Sequence, residues 1–304
     1  MLTITFLGTS GSMPTPKRSL PSIAIRRKAE LILFDCGEGT QARMFEAKVG
    51  FNRKTTIFIT HSHGDHILGL PGIIQTMSLL GRERRVDIHG PSGTEKFVRA
   101  ILDTVAFKLT FPIYTHEVRE AGVIVDGKEY TVEGVWADHG DIPTLAYALI
   151  EKDRPGKFIV ERARKLGIPR GSLWRDLQNG KMIMLGDKAI RPRQVLGPPQ
   201  PGRKIVYSGD TRPCKSVQSL ARGADVLIHD ATLDAELSEK AWESGHSTAS
   251  QAAKVAKLAR VKRLVLFHIS PRYKDPQRLL LEAKEVFPNT SLVDDLQKIE
   301  VPFS

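Results

Sequence analysis

Short apolar runs that stop abruptly at a polar residue set the tightest limit on what this chain can fold into. They occupy residues 31–34 before Asp35, 56–60 before His61, 205–207 before Ser208-Gly209-Asp210, 225–228 before His229, and 264–267 before His268. Runs this short and this rich in Ile and Val read as strands covered on both faces. Residues 1–8 alternate like a first strand. Residues 247–259, with Ser247 or Thr248 as a cap and alanines at helical spacing, read as a helix, as do residues 276–286. Strands alternating with helices argue an α/β fold whose sheets are covered by helices. Polar side chains at strand ends then stand where such folds assemble their sites.

A chain of 304 residues with 41% hydrophobic content can bury one large core, and 26% charged residues argue against disorder. That length admits two smaller domains as well; a single domain over residues 1–304 is expected. No apolar run reaches the roughly 18 residues that cross a bilayer, and nothing near residue 1 reads as a signal peptide. Two cysteines, Cys36 and Cys214, fit a reducing cytoplasm better than a disulfide framework. Net charge is +11, which favours a polyanionic partner. Much of it is local. Residues 151–193 hold twelve Lys/Arg against five Asp/Glu, so +7 of the +11 lies in one segment. There the strand signal fades, Pro155-Gly156, Pro169-Arg170-Gly171 and Asn179-Gly180 punctuate the chain, and residues 158–166 read as a short amphipathic helix. An excursion this long, charged and partly helical is expected to be functional.

His61-Ser62-His63-Gly64-Asp65-His66 follows directly on a strand. Imidazole nitrogen and carboxylate oxygen suit zinc, and four such groups within six residues exceed what one ion takes from one tight loop. Gly64 is expected to permit a sharp bend that sends His61 and His63 one way, Asp65 and His66 the other. Further ligands should come from other strand ends, and the candidates are His139, Asp210 and His268. His89 and His116 read as structural, and Asp35 as shaping the loop beneath the metals.

These words resemble the metallo-β-lactamase superfamily, and within it the ribonuclease Z family in its short form. The similarity runs from Phe6-Leu7-Gly8-Thr9 through Phe34-Asp35-Cys36-Gly37-Glu38-Gly39-Thr40-Gln41 and the histidine loop. It continues through Tyr207-Ser208-Gly209-Asp210-Thr211-Arg212, His229-Asp230-Ala231-Thr232, His246-Ser247-Thr248 and His268-Ile269-Ser270. The resemblance implies a four-layer αβ/βα sandwich with a protruding basic exosite arm at 151–193. It implies two Zn2+ per subunit, one on His61, His63 and His139, the other on Asp65, His66 and His268, with Asp210 bridging. It further implies that Asp65 orients or deprotonates the attacking water and that His246, braced by Asp230, protonates the departing ribose oxygen. The activity implied is removal of the 3′ trailer from precursor tRNA by a cytoplasmic homodimer. Two departures stand out. Asp230 takes the place where family members commonly carry Glu, and Arg18-Ser19 the place of the usual Arg-Asn in a loop associated with reading the tRNA 3′ end.

Other functions are open to the same fold. Hydrolysis of a small ester, thioester or lactone has no use for a +7 arm. A processive nuclease with an inserted second domain needs more than the 58 residues from Asp210 to His268. A purely structural metal site normally uses four ligands, often cysteines, whereas seven nitrogen and oxygen donors are available here.

Overall fold

The computed structural model describes residues 2–303. The first half comprises β1 (Leu2–Gly8), β2 (Ser22–Arg27), β3 (Glu30–Phe34), α1 (Thr40–Ala47) and β4 (Lys54–Phe58). After them come α2 (Gly64–Ile67), α3 (Leu70–Leu79), β5 (Val86–Gly90), α4 (Thr94–Thr104) and β6 (Ile113–Glu117). The second half opens with β7 (Gly122–Asp126), β8 (Tyr130–Ala137) and β9 (Thr144–Glu151). An excursion follows, made of α5 (Val160–Lys165), α6 (Ser172–Gln178), β10 (Ile183–Leu185) and β11 (Lys188–Ile190). The chain returns in β12 (Lys204–Tyr207), α7 (Lys215–Leu220), β13 (Val226–Asp230), α8 (Ser238–Glu243) and α9 (Ala249–Ala259). It finishes with β14 (Leu264–Phe267), α10 (Gln277–Val286), β15 (Thr290–Leu292) and β16 (Lys298–Glu300).

Among the described residues two seven-stranded sheets form, in the orders β16-β1-β2-β3-β4-β5-β6 and β15-β14-β13-β12-β9-β8-β7. Alternate side chains of both sheets meet in one core, where Phe6, Phe34 and Phe58 face Tyr147, Tyr207 and Phe267. The other face of the first sheet packs Leu33, Ile57 and Ile88 against Met44, Ile73 and Val98 of α1, α3 and α4. The other face of the second packs Val206, Leu227 and Leu266 against Val217, Ala252, Ala256 and Leu279 of α7, α9 and α10. The result is an αβ/βα sandwich. Each large apolar side chain so buried contributes about 1.5–3 kcal/mol. Residues of β1 are buried along its whole length, Thr3 and Thr5 included, because a second sheet covers one face and helices the other.

Helix α9 is fixed by its first turn. Thr248 Oγ1 accepts from the Gln251 amide at 3.2 Å, and Gln251 Oε1 accepts from the Thr248 amide at 2.9 Å. This capping box satisfies two N–H groups that the helix itself leaves open. Ala249, Ala252, Ala253, Ala256 and Ala259 then lie flat against the sheet.

The excursion between β9 and β12 folds on a small core of its own, built from Ala163, Ile168, Leu177, Ile183, Ile190 and Val195. Phe158 and Trp174 close it, ring centres 5.0 Å apart. The expected helix forms, over 160–165, but the absence of strands does not hold: β10 and β11 pair as a hairpin around Gly186-Asp187. Three-residue strands are too short to show a period of two, and the positive φ of Gly186 marks the turn that the pattern concealed.

Candidate metal centre

In each sheet four neighbouring strands run parallel out to one edge, β3 to β6 in the first and β12 to β15 in the second. Their carboxyl ends converge at one edge of the sandwich. His61 follows β4, Asp210 follows β12, Asp230 ends β13 and His268 follows β14, while His139 enters from the end of antiparallel β8. The bend expected at Gly64 is instead a helical turn. Gly64 opens α2, His63 caps it in an extended conformation, and Asp65 and His66 lie within the turn. That turn, and not a glycine-only conformation, separates the two pairs.

His61, His63 and His139 form one group, and Asp65, His66 and His268 another, with the donor atoms of each within 4.8 Å of one another. His61 Nε2 is 3.0 Å from His63 Nδ1, which is 3.4 Å from His139 Nε2. Asp65 Oδ2 is 3.5 Å from His66 Nε2 and 3.4 Å from His268 Nε2. Asp210 Oδ2 reaches both groups, at 3.8 Å from His61 Nε2, 3.3 Å from His66 Nε2 and 3.2 Å from His268 Nε2.

Each of four imidazoles is aimed by a bond from its far nitrogen. His61 Nδ1 lies 2.9 Å from Thr60 Oγ1, His66 Nδ1 2.7 Å from Asp35 Oδ2, His139 Nδ1 2.7 Å from the Gly245 carbonyl and His268 Nδ1 2.9 Å from Thr232 Oγ1. A proton on Nδ1 leaves Nε2 with a lone pair facing the centre. Asp35 itself belongs to none of the ligand groups and acts through His66 from behind. Its carboxylate also accepts from the Thr60 amide and hydroxyl and the Tyr207 hydroxyl, at 2.7, 2.9 and 2.8 Å. Asp35 and His268 adopt φ of 58° and 61°. Such left-handed backbone at non-glycine residues costs about 1–3 kcal/mol and persists where surroundings enforce it. At Gly245 a side chain is excluded: φ is +77° and an added Cβ would stand 2.6 Å from His139 Nδ1.

The donor set fits divalent metal. His66 Nε2 and Asp210 Oδ1 are buried without a hydrogen-bond partner, an arrangement that is costly unless something else satisfies them. Zinc–nitrogen bonds of about 2.0–2.1 Å give tetrahedral ligand edges of roughly 3.3 Å, matching the spacing of the first histidine group. Burial, aided by the neighbouring imidazoles, holds His61 and His63 in the neutral form that ligates. Burial opposes charge at Asp65 too, yet hydrogen bonds from His268 and His66 bring its carboxyl below the usual range.

His246 stands beside the cluster, Nδ1 2.8 Å from Asp230 Oδ2 and 4.0 Å from Asp210 Oδ2. Asp230 is fully committed, accepting from Thr211 N at 3.0 Å on Oδ2 and from Thr232 N and Oγ1 at 3.0 and 2.7 Å on Oδ1. Thr60, Tyr207, Thr211, Thr232 and Gly245 escaped the sequence reading. A Thr beside a strand-end ligand was the available signal for two of them, Thr60 and Thr211. His89 and His116 stack on each other, centres 4.5 Å apart, with His89 against Phe58, and neither enters the cluster. Cys36 and Cys214 are both free thiols.

A αβ/βα sandwich with this histidine–aspartate cluster at its strand ends defines a hydrolase of the metallo-β-lactamase type. Residues 195–269 match the beta-lactamase superfamily domain, and residues 2–98 match the family of the Anti-Pycsar protein Apyc1. Ribonuclease Z of Methanosarcina acetivorans is 47% identical over 304 residues, covering 100% of this chain and 99% of its own. Ribonuclease Z of Methanothermobacter thermautotrophicus is 48% identical, covering 99% and 97%. The crystal structure of human tRNase Z, short form, superposes with a TM-score of 0.72 at 29% identity over 99% of this chain and 100% of that one. The chain belongs to the ribonuclease Z family.

Proposed function

We propose that this protein is a zinc-dependent endoribonuclease that cuts precursor tRNA after the discriminator base, leaving a tRNA 3′-hydroxyl and a trailer 5′-phosphate. The observation that carries the reading is Asp210 Oδ2, within 3.2–3.8 Å of imidazole nitrogens from both ligand groups. One carboxylate so placed is suited to join two ions. His61, His63 and His139 would hold one Zn2+, Asp65, His66 and His268 the other, with Asp210 shared. Bound there, the ions would supply water acidified toward neutrality and positive charge against the phosphoryl oxygens.

The protein's own groups account for the remaining steps. Asp65, held by the Ser12 amide at 2.9 Å, orients the attacking water and takes its proton. Water oxygen bonds to phosphorus as the bond from phosphorus to the ribose 3′ oxygen breaks. His246 gives that oxygen a proton, and Asp230 fixes the ring so that Nε2 is the donor. Residues 151–193 form the exosite arm of a single-domain chain, its +7 charge gripping the tRNA backbone. The reading includes a homodimer, supported by Phe45, Leu68, Leu79 and Leu80, apolar and exposed on or beside α1 to α3. It also includes a cytoplasmic location, which the free thiols of Cys36 and Cys214 support. The test is a 3′-extended precursor tRNA incubated with zinc-loaded protein: trailer release at the discriminator is expected, and intact substrate would refute the proposal.

A further inference from the structure

The sandwich end opposite the cluster holds a second feature. A cavity of about 320 Å³ opens where the β2–β3 turn, the β7–β8 turn, the end of β9, the start of β12 and the C-terminal segment meet. Six Lys or Arg line it against three Asp or Glu. Thr144, at the other end of β9, adjoins the strand that leads to His61, Leu145 N bonding Thr60 O at 2.9 Å. At roughly 3.3 Å per residue, β9 sets the cavity about 23 Å from the metal centre.

Part of the lining is neutralised internally. Glu151 takes Arg203 and Arg27, Glu129 pairs with Arg27 and Lys28, and Lys152 reaches Asp126 outside the cavity. Lys128 and Arg154 make no ion pair among the described residues. The Arg154 guanidinium lies 3.3 Å from the Phe303 ring centre, with Arg203 at 3.8 Å. Arg154 Nε is buried with no hydrogen-bond partner. A guanidinium over an aromatic ring with one N–H unmet, sharing its cavity with an ammonium that makes no ion pair, suits a tetrahedral oxyanion. The volume falls at the lower end of small-ligand pockets, about 300–1,000 Å³.

We propose that this cavity binds a phosphate-bearing ligand of mononucleotide size, independently of the metal centre. Lys128 and Arg154 take the phosphate, and the edge of the Phe303 ring borders the remainder. Arg154 and Arg203 flank the two points where the excursion leaves and rejoins the sheet, so the ligand would sit at its foot.

Calorimetric titration of zinc-loaded protein with adenosine monophosphate tests this. Saturable binding is expected, weakened at least tenfold by Arg154→Gln and by Lys128→Glu, the latter on an exposed turn where folding is not at stake. Hydrolysis of a small chromogenic phosphodiester should be unchanged in Lys128→Glu, which lies outside residues 151–193. Binding that survives both substitutions would place the nucleotide at the metal centre and overturn the proposal, as would no saturation at millimolar ligand. Retention of the nucleotide under saturating precursor tRNA is expected, whereas its displacement would return the cavity to the RNA-binding surface.

Discussion

His246 Nδ1 and Asp230 Oδ2 stand 2.8 Å apart, the carboxylate buried and the imidazole at the edge of the metal centre. Asp230 reaches the ring because it closes β13 and three further hydrogen bonds pin its carboxylate. His246→Ala should lower kcat on precursor tRNA by roughly 10²–10⁴ with bound zinc unchanged. Asp230→Asn should lower kcat less than His246→Ala, since a positioning residue is lost and not the donor. Single-turnover cleavage with metal analysis reads both, and loss of zinc in His246→Ala would make it a ligand instead.

Asp210 is the shared member of the cluster, so its loss should be felt in both groups. Asp210→Ala is expected to lose cleavage and most of its zinc, where His63→Ala removes a single donor from one group. Elemental analysis after dialysis checks the difference. Equal zinc content in the two variants would contradict a shared carboxylate.

Gly245 presses its carbonyl and bare Cα against His139. Gly245→Ala places a Cβ 2.6 Å from His139 Nδ1 and strains a backbone with φ of +77°. Zinc affinity should fall about 10–100-fold, the scale typical of disturbed groups behind a ligand. Competition against a chromogenic chelator measures it.

Glu151 is buried between Arg27 and Arg203, at 2.8 and 2.6 Å. Burial would raise its pKa, but hydrogen bonds and charge from the two arginines win and hold the carboxyl below its ordinary value. The folded-state pKa is depressed, so the stabilisation is complete above the ordinary glutamate pKa of about 4.3 and is lost as pH falls through the folded value. Glu151→Gln should cost about 3–5 kcal/mol at neutral pH by stranding two guanidiniums, and should flatten the acid side of the stability profile. Urea melts from pH 7 to pH 3 test both parts.

The excursion has its own core, so its removal need not disturb the sandwich. Replacing residues 155–188 by a short Gly-Ser linker should abolish precursor tRNA cleavage yet leave hydrolysis of a small phosphodiester within about twofold. Parallel loss of both activities would mean that the segment supports the site itself.

Some of this molecule was written plainly in its residue order. The apolar runs end where strands end because a sheet covered on both faces disfavours charged side chains until the chain reaches its edge, while it still admits Thr3 and Thr5 in β1. Candidate ligands could therefore be read as strand-end residues without knowing how the strands pair. Thr60, Tyr207 and Thr232 were invisible for the converse reason: a hydroxyl gains its role from the carboxylate or imidazole that tertiary packing brings to it. Tyr207 and Asp35 are 172 positions apart and meet only across the two sheets. The helical turn at Gly64 was hidden because a single turn has no period to detect.

The donors of the cluster come from both sheets, with His61 to His66 rooted in the first and His139, Asp210 and His268 in the second. A cation held there is a clasp between two halves of the chain as much as a reagent. Occupancy then favours the closed sandwich by mass action, about 4 kcal/mol when free metal exceeds its dissociation constant a thousandfold. Metal supply would thus act on the abundance of folded protein as well as on its turnover, and starvation for the ion would be felt first as fragility.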